Sequence, residues 1–295
     1  MKNILIIGAN GFTGRQILND LSNKEQYNVT GCSLHPDILP NGDGKYHFVT
    51  TDIRDEAAIK HLFKEAQPDA VINCSALSVP DYCETHHEEA YLTNVTAVEQ
   101  LAYLCEIYKS RFIHLSTDFV FDGKIDENSG QLYTEESLPA PVNYYGFTKW
   151  KGENRIAEIC SKIVYGKALP GQHGNIVQLV MNRLNAGQEI RVVSDQWRTP
   201  TYVGDVSDGV QRLIENTANG IFHICGDECM TIAEIAFHVA DCMKLDRSLI
   251  HPITTKDMKE ATPRPRFSGM SIAKARTILG YRPRMLKEIL MEWDN

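Results

Sequence analysis

The chain is 295 residues long, enough for one large α/β unit or for two lobes sharing a sheet. Its 30 basic and 38 acidic side chains leave a net charge of −8 with no run of Lys or Arg, which argues against nucleic acid or an acidic membrane surface as the main partner. Hydrophobic (43%) and charged (23%) fractions are those of an ordinary soluble globular protein, and no apolar stretch approaches the ~20 residues of a membrane span. The apolar run before Gly8 is too short for the core of a signal peptide. Eight cysteines, scattered and without a Cys-x-x-Cys pair, predict reduced thiols in a cytoplasmic protein and no metal site.

Taken in order, Ile4-Leu5-Ile6-Ile7 predicts a strand buried on both faces, as in a parallel sheet. Gly8-Ala9-Asn10-Gly11-Phe12-Thr13-Gly14 follows, then Ile17, Leu18 and Leu21 at helical spacing. Strand, glycine turn and helix in that order make a phosphate cradle: glycines permit a sharp turn and close approach, and a helix N-terminus offers unpaired N–H groups. A second strand over Tyr27–Ser33 ends without an acidic residue to bind a ribose 2′-hydroxyl; Asp37 comes only after Pro36. That pattern leans towards NADP(H) over NAD(H), although no arginine stands there to clamp the extra phosphate.

Phe48-Val49 predicts a third strand leading to Asp52-Ile53, a usual place for contacts to an adenine ring. Residues 55–66 predict a helix, and Ala70–Asn73 a fourth strand followed by the small residues Cys74-Ser75-Ala76. Residues 84–108 read as one long helix containing Asn94. The adjacent His86 and His87 face different ways on such a helix, so they predict a solvated surface and no metal. Arg111–Leu115 predicts a fifth strand, ending in Ser116-Thr117-Asp118 where a parallel sheet places its chemistry. Alternating strands and helices imply a doubly wound parallel sheet.

A polar loop then delivers the chain to Tyr144-Tyr145-Gly146-Phe147-Thr148-Lys149. Four residues apart on a helix, Tyr145 and Lys149 share one face. An ammonium held near a phenol favours the phenolate and lowers its pKa towards the range of a general acid or base. The second half predicts helices over residues 176–184, 205–215, 231–243 and 272–279, with strands over 190–193 and 221–224. These pieces imply a smaller C-terminal lobe: residues 1–165 form the dinucleotide-binding domain, with 200–220 packing back on it, and 166–295 the substrate-binding lobe.

This order of signals resembles the extended short-chain dehydrogenase/reductase family. The matching pieces are Gly8-x-x-Gly11-x-x-Gly14, Asn73-Cys74-Ser75-Ala76, Asn94, Ser116-Thr117-Asp118 and Tyr145-x-x-x-Lys149. Within it, Ser116-Thr117-Asp118-Phe119-Val120-Phe121-Asp122-Gly123, Glu153 after Gly152, and Asp195-Gln196-Trp197-Arg198-Thr199-Pro200-Thr201 look like the dTDP-4-dehydrorhamnose reductase branch. The resemblance implies a Rossmann-type fold and NAD(P)H-dependent reduction of the 4-keto group of a nucleotide-linked deoxysugar. It makes Tyr145 the general acid, Thr117 a second donor to the carbonyl oxygen, and Lys149 the holder of the nicotinamide ribose. Cofactor contacts would come from Gly8, Asn10, Gly11, Phe12, Gly14, Ser33, Asp52, Ile53, Cys74, Ser75, Ala76 and Asn94, together with Tyr145 and Lys149. Substrate contacts would come from Asp81, Trp197 and Arg198, and relatives are often homodimers.

Two departures stand out. Residues 151–164 are short for a helix plus a central strand before Tyr165-Gly166, which predicts a truncated strand or an omitted segment. Arg198 stands where many such reductases carry a small residue. The same motifs also fit a non-catalytic NADP-binding regulatory subunit, or a nucleotide-sugar epimerase or dehydratase.

Overall fold

The computed structural model describes residues 1–38, 44–159, 163–167 (as backbone), 176–258 and 260–293. Its strands are β1 (Lys2–Ile7), β2 (Tyr27–Ser33), β3 (His47–Thr50), β4 (Ala70–Asn73), β5 (Arg111–Ser116), β6 (Ile163–Lys167), β7 (Ile190–Val193), β8 (Trp197–Arg198), β9 (Gly220–Phe222), β10 (Met230–Thr231) and β11 (Ile250–Ile253). The helices are α1 (Phe12–Ser22), α2 (Glu56–Ala66), α3 (Pro80–Cys83), α4 (His87–Tyr91), α5 (Ala97–Tyr108), α6 (Tyr144–Ile159), α7 (Ile176–Asn185), α8 (Val203–Glu215), α9 (Ile232–Cys242), α10 (Thr255–Met258), α11 (Ala273–Leu279) and α12 (Leu286–Trp293).

Seven strands form one sheet in the order β3-β2-β1-β4-β5-β6-β9, and every described neighbouring pair is parallel. The strand order reverses between β1 and β4, so a crevice opens beyond their C-terminal ends, the usual ligand position in an open α/β sheet. Because side chains alternate across a strand, β1 sends Ile4 and Ile6 to one apolar layer and Leu5 and Ile7 to the other. The first layer takes Ile17 and Leu18 of α1, Val210 and Leu213 of α8, and Ala275 and Leu279 of α11. The second takes Ile59 and Phe63 of α2, Val98 and Leu101 of α5, and Ile156 of α6. Each large side chain so buried contributes about 1.5–3 kcal/mol.

Farther along, β7 pairs in parallel with β11, and α7, α9 and α12 enclose a separate apolar cluster around Val180, Val192, Val239 and Leu290. Thr231 caps α9 through a reciprocal bond pair with Glu234.

Two expectations need correction. The stretch 84–108 is not one helix: α4 gives way to a π-turn over Leu92–Thr96 before α5 begins. The extra residue in that turn leaves Asn94 fully buried. The short segment after Lys149 does supply a central strand, because β6 is five residues long and takes in Tyr165 and Gly166. Residues 160–162, which include Cys160, lie outside the described residues. A further helix, α12, and the strand β11 were not anticipated; Leu286, Ile289 and Leu290 of α12 are its buried face.

Candidate active site

The crevice is lined first by the glycine turn. Gly8 has φ +79°, and a Cβ there would come 2.7 Å from the Ser75 nitrogen. A Cβ on Gly14 would lie 2.2 Å from the Gly8 carbonyl oxygen. Only glycine fits either position, so the turn lies flush against Cys74 and Ser75. Gly11 caps α1 without a side-chain bond, so the first N–H groups of that helix have no capping side chain. A cradle shaped this way fits a dinucleotide pyrophosphate.

The adenosine end departs from expectation. Asn10 does not face the crevice with its amide free: Nδ2 donates to the carbonyls of His35 and Pro36, at 3.0 and 2.8 Å. Arg15, next to Gly14, reaches across to the end of β2. Its guanidinium donates to Asn10 Oδ1 (2.6 Å), Asp37 Oδ1 (2.5 Å) and Tyr46 Oη (3.3 Å). Tyr46 Oη in turn donates to Asp37 Oδ2 at 2.8 Å. An arginine therefore does stand at this position, latched by an aspartate. It escaped notice because it comes from α1 and not from β2.

Of the other cofactor candidates, Ser33 ends β2 half-buried, and Ile53 is buried. Asp52 accepts a forked contact from Arg54, which holds its carboxyl below the usual range. Phe12 is half exposed at the mouth of the turn, and Ala76 is half-buried beyond β4. Asn94 is corrected from a cofactor contact to a clamp. Its Oδ1 accepts from Leu77 N–H (2.9 Å), and its Nδ2 donates to Leu77 O and Thr148 Oγ1 (each 3.0 Å).

Beyond β5, the Thr117 hydroxyl lies beside the Tyr145 phenol and acts to lower its pKa. Both are buried, at 1% and 8% exposure. Thr117 Oγ1 accepts from Phe119 N–H and donates to Asp118 Oδ1, each at 3.2 Å. Gly146 lets α6 approach this loop, since a Cβ there would be 2.1 Å from the Phe119 carbonyl oxygen. Burial raises the Tyr145 pKa, and the neighbouring Thr117 hydroxyl only partly offsets it.

Lys149 is not among the groups that shift that phenol, contrary to expectation. Its Nζ is turned to β5, donating to Leu115 O at 2.7 Å and lying 3.0 Å from His114 Nε2. Burial brings its pKa down to about 8. His114, on an otherwise apolar strand, was overlooked; a polar residue in Phe112-Ile113-His114-Leu115 was the available signal.

The second lobe contributes from one side. Arg198 is 8% exposed, its guanidinium 6.0 Å from the Phe119 ring centre, and Phe119 packs edge-on against Tyr145 at 5.9 Å. Its nitrogens donate to Trp197 O (2.7 Å) and Gln196 Oε1 (2.9 Å). Trp197 is half-buried beneath Arg266, whose guanidinium carbon is 5.1 Å from its ring. Asp81 is exposed on α3. His86 and His87 are ring-stacked on Tyr82 and Tyr144 at 3.7 and 3.8 Å, and among the described residues no cluster could hold a metal ion. Among those residues, too, no helix is long and apolar enough to cross a membrane.

The model of the RmlD substrate binding domain matches residues 1–293. The chain belongs to this family. It is 31% identical to the probable low-salt glycan biosynthesis reductase Agl14 of Haloferax volcanii, over 93% of this chain and 91% of that one. It is 32% identical to methionine adenosyltransferase 2 subunit beta of Xenopus laevis, over 90% and 78%. Among solved structures it resembles a dTDP-4-dehydrorhamnose reductase of Clostridium acetobutylicum (TM-score 0.85, 29% identity, 98% and 97% of the chains). The Bacillus anthracis dTDP-4-dehydrorhamnose reductase, solved with NADP, has a TM-score of 0.83 at 25% identity over 99% and 98%. The RmlD-family fold, its Rossmann-type sheet and its kinship with nicotinamide-dependent oxidoreductases are thus established for this chain.

Proposed function

We propose that the protein reduces the 4-keto group of a nucleotide-linked deoxysugar of the dTDP-4-dehydrorhamnose kind, using NAD(P)H. The observation that carries this reading is that two buried hydroxyls, Thr117 and Tyr145, lie side by side where the loop after β5 packs against α6. Once Thr117 Oγ1 turns from Asp118, the two hydroxyls can both donate to a carbonyl oxygen that gains charge. Tyr145 stays protonated at neutral pH because burial raises its pKa, so it is an acid with a proton to give. That proton goes to the carbonyl oxygen, and Thr117 donates the second hydrogen bond. When bound, the nicotinamide cofactor supplies the hydride. Gly8, Gly11 and Gly14 would hold its pyrophosphate, and Ser75 and Lys149 would lie along its nicotinamide half. Arg198 and Trp197 would face the sugar nucleotide, where a buried guanidinium favours an anionic diphosphate.

NADP is the proposed cofactor. Arg15 supports it as a cation at the end of β2, provided that a 2′-phosphate can take the place of Asp37. The test is consumption of NADPH or NADH by the purified protein with dTDP-4-dehydrorhamnose, with the sugar product identified. A protein that binds NADP but consumes none with any keto-sugar nucleotide defeats the reductase reading. It favours instead a non-catalytic subunit, the second reading, which draws on the 32% identity to the Xenopus subunit and on Lys149 facing His114.

A further inference from the structure

Three polar groups, with Ser75 at one end, form a fully buried line from the end of β4 to α6. Asn73, His114 and Lys149 are 0%, 0% and 1% exposed. Asn73 and His114 are register partners on β4 and β5. Asn73 Oδ1 accepts from Ser75 N–H at 3.0 Å and from Ser75 Oγ at 2.6 Å. A backbone N–H can only donate, so the orientation of the Asn73 amide is settled: its NH₂ end faces His114 Nδ1, at 3.0 Å. His114 Nδ1 must then be the acceptor. A neutral imidazole carries one N–H, which therefore sits on Nε2 and points at Lys149 Nζ, 3.0 Å away.

An ammonium has three donors and no lone pair, so a charged Lys149 would meet Nε2–H donor to donor. A charged imidazole would meet the Asn73 NH₂ in the same way. One assignment satisfies every contact. Ser75 donates to Asn73, Asn73 to His114, His114 to a neutral Lys149 amine, and that amine to the Leu115 carbonyl.

We propose that His114 is a positioning residue that parks Lys149 as an uncharged amine, so that protonating Lys149 and releasing it from His114 are one event. The released ammonium is the form that can turn towards Tyr145, one helical turn back on α6.

The groups facing Lys149 agree with this assignment. Glu153 of α6 attracts a cation but already accepts from Ser116 Oγ. Cys74, beyond β4, is a thiol that burial pushes up to about 12, so it offers no counter-charge. Burial outweighs the attraction of Glu153 and lowers the lysine, while burial and the lysine together hold His114 well below the usual imidazole range.

Only the kinetic arm of the test rests on the reductase reading. In the free protein, ¹⁵N NMR of the imidazole at pH 9–10 reports the tautomer. We expect Nε2–H, and its shift should move with the same midpoint as the ¹³Cε signal of Lys149 as the pH falls. An Nδ1–H tautomer, or a His114 signal that stays still while Lys149 titrates, overturns the proposal. His114→Leu removes the donor to the neutral amine, so the Lys149 midpoint should rise by roughly one pH unit, the size of one buried hydrogen bond. A midpoint that falls or does not move overturns it as well. In turnover, the pH limb of kcat/KM should move with that midpoint. If both NMR arms hold and the kinetic limb does not move, the parking stands and the role given to Lys149 in reduction falls.

Discussion

The glycine cradle and the Thr117–Tyr145–Lys149 pocket lie at the same edge of one sheet but are made in opposite ways. The cradle is defined by side chains that are missing: Gly8 and Gly14 bring backbone to within van der Waals contact of backbone. The pocket is defined by which way donors point, as in the Thr117 donation to Asp118 and the turn of Lys149 towards His114. Shape of the first kind is insensitive to pH and intolerant of an added carbon. Shape of the second kind tolerates small volume changes and responds to a single proton.

The largest separation of the two should come from Tyr145→Phe. Removing the phenol proton should cut kcat by about 10²–10⁴-fold. NADP affinity, measured by calorimetry, should be unchanged if the cradle works independently of the pocket. Gly14→Ala attacks the other side: a Cβ at 2.2 Å from a carbonyl must force the turn open, costing roughly 1–3 kcal/mol in denaturant unfolding and weakening either cofactor alike. Smaller still, Arg15→Ala should weaken NADP by about tenfold while sparing NAD, the loss of one charge-assisted contact. Equal effects on the two cofactors would show that Arg15 only braces Asp37.

The smallest effect is one of pH on stability. The folded pKa of Lys149 is lowered from 10.5 to about 8. Between those values the unfolded chain binds the extra proton, so from this group stability rises with pH through the window from about 8 to 10.5. Below about 8 the lysine is charged in both states and its contribution is flat, at its least favourable. The wild type minus Lys149→Met difference in unfolding free energy should therefore increase across that window, read by urea titration at several pH values.

Much of this arrangement was legible in the residues. A β-branched run followed by Gly-x-x-Gly-x-x-Gly can hardly do anything but turn tightly into a helix, and four-residue spacing put Tyr145 and Lys149 on one face. Thr117, at the end of a predicted strand, fell where a parallel sheet exposes its chemistry. What spacing could not show is where a long flexible side chain ends. Lys149 reaches β5, and Arg15 crosses from α1 to Asp37, because each finds acceptors that only the assembled sheet supplies. Residues 84–108 misled for a related reason: their apolar pattern is helical throughout, and the π-turn depends on Leu77 and Thr148, distant partners that draw Asn94 inward.

That turn has one more consequence. Deleting a single residue from Leu92–Thr96 would leave an uninterrupted α-helix. It would also remove the widened turn that carries Asn94 inward, so that its amide no longer reaches both its partners. Leu77 and Thr148 would then lose their common tie, and the cofactor wall and the tyrosine helix would each find its own position. The locally irregular turn is what keeps the two walls of the crevice in register.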